Sequence, residues 1–198
     1  MKNEALFTLL GATGILLFAG GGLVLAPYMQ LSDTPPSPGL EPYSQEEAEG
    51  RALYVSLGCM YCHSQQPRDP SQAPDGERGW GRPSVPGDYV YDYPHQLGTM
   101  RTGPDLFNVG KRLASEDWHL IHLYQPRAVV EGSIMPSYPF LFEHVPEPSE
   151  GDRIVAVPEE WLAKPGTVIA TQDALKLTAY LLTLDHDDPV LEASDEAR

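Results

Sequence analysis

The chain has 198 residues, with 28 acidic against 13 basic side chains and a formal net charge of −15. That balance excludes a nucleic-acid binder, which needs a basic surface to neutralise phosphates. Two cysteines permit one disulfide at most and exclude a disulfide-stapled secreted scaffold. The 20 prolines are roughly double the usual share, so long uninterrupted helices or strands cannot dominate.

Residues Ala5 to Ala26 carry no charge, and their only polar side chains are Thr8 and Thr13. As a helix this stretch spans roughly 33 Å, close to the hydrocarbon thickness of a bilayer. Its glycines (Gly11, Gly14, Gly20, Gly21, Gly22) weaken a helix in water but let a neighbouring helix approach closely in a membrane. A cleaved signal peptide is the competing reading. The apolar run is longer than a signal peptide needs, and Pro27 directly follows the one candidate cleavage site, Val24-Leu25-Ala26. Lys2 precedes the span, and Asp33 and Glu41 follow it, so the positive-inside rule places the remainder of the chain outside the cytoplasm.

Residues 32–43 hold four prolines and read as a stiff polyproline spacer lifting a domain off the membrane. Three helices follow. The first starts at Ser44, where Ser44 and Glu47 form a capping box, and runs to about Leu57 with Ala48, Ala52 and Val55 as its apolar face. The second spans Glu116 to Tyr124, capped by Ser115 and closed by Pro126. The third runs from Gln172 to Leu184 after Thr171, with Ala174, Leu177, Leu181 and Leu184 as its stripe. The fold class is therefore mainly α: residues 1–31 an anchor, 32–43 a linker, 44–185 a domain and 186–198 an acidic tail. Fourteen prolines lie between Pro67 and Pro165. Loops of that length need something other than secondary structure to organise them, and a large buried cofactor would do so.

Cys59-Met60-Tyr61-Cys62-His63 is C-x-x-C-H, the attachment sequence for c-type haem. Both thiols add to the haem vinyl groups and His63 ligates the iron, which consumes both cysteines in one covalently attached haem c. A zinc site would need four ligands and the chain offers no second cysteine pair. A thioredoxin-like redox pair would need a βαβ context. The iron then needs a second axial ligand or keeps an open face, and a methionine ligand raises the potential and suits electron transfer. Met135, in Gly132-Ser-Ile-Met-Pro136, leads on chemistry; Met100 and His95 remain alternatives. Arg101 is a candidate partner for a haem propionate, as arginine makes bidentate carboxylate contacts. The Pro104 carbonyl is a candidate acceptor for the His63 ring N–H. His119 and His122 share a helix face and point to a surface or propionate-facing role ahead of metal binding. Tyr89-Val-Tyr-Asp-Tyr93 alternates as a short strand or docking edge would.

These residues carry a resemblance. Gly58 to Gln65, Ser84 to Pro94, Gln96 to Leu106, Trp118-His119 with His122-Leu123, Pro126-Arg127 and Ser133 to Pro139 together resemble the membrane-anchored mono-haem cytochrome c subunit (subunit II, FixO/CcoO type) of cbb3-type cytochrome c oxidase. The resemblance covers about Tyr54 to Leu141, and Gln172 to Asp185 looks like the family's closing helix. It implies a class I cytochrome c fold with the first and last domain helices crossing, and His63 and Met135 as axial ligands. It implies electron transfer to a separate haem–copper catalytic subunit that reduces oxygen to water, with no catalytic residue in this chain. The partners implied are that subunit, the other cytochrome subunits and the lipid bilayer; the place is the bacterial inner membrane, single-pass, with the haem domain on the periplasmic side. An anchored cytochrome of a nitric oxide reductase-like complex, or a free-standing anchored carrier, is the alternative.

The acidity is uneven. Segments 33–51, 143–160 and 185–198 carry −4, −5 and −5, against −2 for the much longer stretch 52–142. These flanks are solvated faces or surfaces that steer a soluble basic cytochrome donor.

Overall fold

The computed structural model describes residues 2–186, so most of the expected acidic tail, 187–198, lies outside the described residues. The N-terminal helix runs as α1 (Lys2–Gly20), a π-helical turn (Gly21–Leu25) and α2 (Ala26–Leu31). Pro27 has no N–H to give and its ring strikes the carbonyl one turn back, and the wide turn just before it absorbs that conflict. The continuous apolar helix, Asn3–Leu31, extends beyond the uncharged stretch Ala5–Ala26 at both ends. Its side chains are almost all exposed in the isolated chain.

The domain is built on α3 (Gln45–Ser56) and α6 (Gln172–Thr183), which cross. Ser44 and Glu47 form the reciprocal capping box, and Thr171 accepts from the Ala174 N–H. The stripe Ala174, Leu177, Leu181 and Leu184 is buried. The face expected for α3 is not: Ala48, Ala52 and Val55 are exposed, and Gly50 and Tyr54 point inward instead. The cause is the close crossing. A Cβ on Gly50 would lie 1.9 Å from the Lys176 carbonyl oxygen, so glycine marks the contact face rather than a weak point. Tyr180 packs beside it, with ring centroids 5.4 Å from Tyr54 and 5.7 Å from Tyr43. Between these helices come α4 (Val109–Arg112) and α5 (Glu116–Tyr124), the latter capped by Ser115.

Two segments between the helices take forms of their own. The acidic stretch after Phe142 is a small antiparallel sheet, β1 (Phe142–Val145) and β2 (Arg153–Ile154) flanking β3 (Thr167–Ala170), with Phe142 and Arg153 both opposite Ala170. Arg153 reaches Glu116 (3.1 Å) and Asp117 (2.7 Å), tying this sheet to the start of α5. Tyr89–Tyr93 is no strand: Pro86–Tyr89 is a 3-10 turn followed by irregular chain. Buried Asp92 draws its backbone inward and leaves Tyr91 and Tyr93 outside.

Candidate functional site

The C-x-x-C-H segment leaves α3 as a 3-10 turn over Cys59–Tyr61, in which the Cys62 and His63 N–H groups both donate to the Cys59 carbonyl (3.1 and 3.0 Å). This turn puts both thiols and the imidazole on the wall of one cavity of about 700 Å³. Apolar residues from α3, α4, α5 and α6 close the rest, among them Tyr54, Val109, Leu123, Leu177 and Leu181. Met135 lines it too. Met100 and His95 are exposed and do not.

His63 is held from behind. Its Nδ1–H donates to the Pro104 carbonyl at 2.8 Å, since a carbonyl can only accept, and Nε2 is left available to a metal. Gly103 presses on the ring: a Cβ there would sit 2.3 Å from His63 Cε1. Burial pulls the His63 pKa below its ordinary value, with the Pro104 bond opposing. Burial also pushes the Cys59 thiol up to about 11. Both cysteines are free of disulfide. Among the described residues no three His, Cys, Asp or Glu side chains gather as a metal site of their own.

Arg101 is not at the cavity. Its guanidinium forms a bidentate pair with buried Asp75 (2.9 and 2.7 Å), donates to Ser64 Oγ and the Gln66 carbonyl (both 2.8 Å), and lies over Trp80 at 5.1 Å. These bonds fix the Pro-rich loop after His63, and Arg101 does not line the cavity. Burial raises the Asp75 pKa, but Arg101 and the Arg68 N–H together lower it further, and the carboxyl is held below its ordinary value. The arginine the sequence reading missed is Arg112, which among the described residues is the one lysine or arginine lining the cavity. Its Nη2 donates to the Asp105 carbonyl at 2.8 Å, while Nε is buried without a partner.

His119 and His122 both line the cavity rather than the surface. His119 donates from Nε2 to the Leu113 carbonyl at 2.8 Å. His122 stacks on Trp118 with centroids 4.6 Å apart and planes 12° apart, and its Nδ1 is buried without a partner. Its pKa is pushed down to about 4, first by burial and then by His119 and His63, so it is neutral at pH 7.

These walls suit a haem. The lining is mostly apolar, matching a porphyrin's faces. Arg112 Nε and His122 Nδ1 are orphaned polar atoms, each costing about 1–3 kcal/mol unless a bound group meets them, and a haem's carboxylate margin is such a group. His63 and Met135 bring to these walls a nitrogen and a sulfur, donor types that haem iron accepts.

A family model described as "Cytochrome C oxidase, mono-heme subunit/FixO" matches residues 1–160. No curated protein matches the chain. With a helix long and apolar enough to cross a membrane and a domain built around one haem-sized cavity, the chain belongs to the mono-haem cytochrome c oxidase subunit (FixO) family, the electron-transferring haem subunit of a membrane oxidase complex.

Proposed function

We propose that this chain carries one haem c bound covalently through Cys59 and Cys62, and relays electrons to the haem–copper catalytic subunit of a cbb3-type oxidase. The observation that carries this reading is the convergence of Cys59, Cys62, His63 and Met135 on one cavity, while Met100 and His95 lie away from it. Cys59 and Cys62 would hold the group, each thiol giving its sulfur to one carbon of a vinyl double bond and its hydrogen to the other, with no net oxidation. When bound, the haem supplies the one-electron ferric–ferrous couple.

The chain's own residues do the rest. The Pro104 carbonyl fixes the tautomer and plane of His63. Met135 supplies the sulfur that raises the potential. Arg112, rather than Arg101, meets a propionate. The apolar wall excludes water, which favours the less charged ferrous state. Lys2 before the span and Asp33 and Glu41 after it support a cytoplasmic N-terminus and an outward-facing domain. The acidic stretches at 33–51 and 143–160 suit a basic soluble donor.

Purification from native membrane, with identification of co-eluting subunits and haem types, tests the assignment. Co-elution with a multi-spanning haem–copper subunit is the expected result. A lone anchored cytochrome sinks the oxidase reading. Haem lost on denaturing electrophoresis sinks covalent attachment.

A further inference from the structure

The Pro-rich linker is not a free spacer. Ser37 is 8% exposed, and its N–H donates to the Gly87 carbonyl at 3.1 Å. The fit is close: a Cβ on Gly87 would lie 2.9 Å from both the Pro35 carbonyl oxygen and Ser37 Oγ. The turn that receives the linker is itself rigid. Asp88 forms a bidentate pair with Arg82 (2.9 and 2.7 Å) and accepts the Val85 N–H at 2.8 Å. Farther along, Tyr43 packs on Tyr180. The linker is therefore a strap laid along the domain.

The strap leaves little slack. From Leu31, the last residue of the apolar helix, to docked Ser37 the chain can reach at most about 20 Å. It reaches less than that, because the Ser32 and Thr34 N–H groups still donate back to Tyr28 and Leu31 (2.9 and 3.1 Å). The part of the domain bearing Gly87 thus stays near the membrane end of the helix. That same segment then throws two tyrosines outward. Asp92 is buried, paired with Arg51 and accepting the Gln96 N–H at 2.8 Å, and its neighbours Tyr91 and Tyr93 are 42% and 89% exposed. Among the described residues, neither ring belongs to the hydrophobic core or packs against it. A tyrosine presents an apolar ring with a polar tip and concentrates at the membrane–water boundary. Tyr28, 69% exposed near the end of the apolar helix, marks that boundary on the helix.

We propose that the strap turns the Tyr91–Tyr93 edge of the haem domain onto the lipid headgroups, so that the domain rests on the bilayer in one orientation. The contact is aromatic, and the partner is a zwitterionic headgroup layer: a chain of net charge −15 gains nothing from anionic lipid. The proposal rests on the reading of the apolar helix as a membrane anchor.

The test uses the full haem-loaded chain in phosphatidylcholine vesicles, with a nitroxide at Tyr93→Cys and, separately, at Ile154→Cys on β2, which is 46% exposed. Vesicles containing a nickel-chelating headgroup lipid report proximity to the surface. Relaxation enhancement at position 93 is expected to exceed that at 154 at least threefold, and to fall toward the value at 154 when Gly87→Val breaks the strap with the haem spectrum unchanged. A chain that floats with the vesicles but shows equal enhancement at both positions overturns the surface contact alone. A chain that fails to float overturns the anchor, and the contact with it. In the assembled oxidase, a position-93 label immobilised and shielded from the nickel lipid would assign the edge to another subunit and overturn the proposal.

Discussion

His63 Nδ1 lies 2.8 Å from the Pro104 carbonyl oxygen, and Gly103, just before Pro104, approaches the same ring too closely for any side chain. The two contacts fix ring tautomer and ring plane together. Gly103→Ala must displace the imidazole, since the new methyl would start 2.3 Å from Cε1. The expected outcome is a haem that stays attached but loses its low-spin absorption, with stability down by about 1–3 kcal/mol from overpacking. An unchanged Soret and visible spectrum would show that the ring has room to move.

Met135→Ala is expected to abolish the methionine–iron charge-transfer band and lower the reduction potential while haem remains covalently bound. Met100→Ala should leave both unchanged, because that side chain is 55% exposed and away from the cavity. Optical spectra and potentiometry on the two variants decide the ligand, and the reverse result would reassign it.

The two arginines separate by readout. Arg101→Met takes the bidentate partner from the buried Asp75 carboxylate, leaving it the Arg68 N–H (2.8 Å) and Arg78 at 4.0 Å, and is expected to cost about 3 kcal/mol in urea unfolding with little change in potential. Pairing it with Asp75→Asn should recover part of that loss, since the residues form one network. Arg112→Met should instead shift the reduction potential, with a smaller loss of stability. The Arg101–Asp75 pair also sets a pH dependence. The folded pKa of Asp75 is depressed, so its contribution is fully present above the unfolded value of about 3.9 and is lost as pH falls through the lower folded value. Acid unfolding of wild type should therefore show a component below pH 4 that Arg101→Met lacks.

Gly50→Ala tests the helix crossing. Alanine favours a helix over glycine by about 1 kcal/mol, but here its methyl would lie 1.9 Å from the Lys176 carbonyl oxygen and 2.9 Å from Tyr180 Cβ. Thermal unfolding of the haem-loaded protein is expected to show a net loss of about 3 kcal/mol. A gain in stability would mean that α3 and α6 can part without consequence.

What the residues disclosed in advance was what local chemistry controls. Ser44, Ser115 and Thr171 cap their helices because a hydroxyl before a helical run has an N–H to meet whatever the rest of the chain does. The C-x-x-C-H spacing and the His63–Pro104 bond were legible for the same reason: a short turn and one carbonyl suffice. Long-range terms hid the remainder. The inward face of α3 follows Gly50, and that preference exists only once α6 crosses it. The sheet pairs residues such as Phe142 and Ala170 through strands of two to four residues, too short for any period to register. Arg101 and Arg112 look equivalent in sequence, and only the buried Asp75 decides which one is occupied.

The segment bearing Met135 begins and ends on α5 and its trailing turn. The Val130 N–H donates to the Pro126 carbonyl, and the Tyr138 N–H donates to the Leu123 carbonyl, both at 2.9 Å. A sulfur on a loop closed at both ends has a high effective concentration at the position it faces. Soluble ligands then compete against an intramolecular group that cannot diffuse away. Such a site suits passing electrons, and is poorly suited to capturing oxygen or other small ligands, however close to the oxidase reaction it sits.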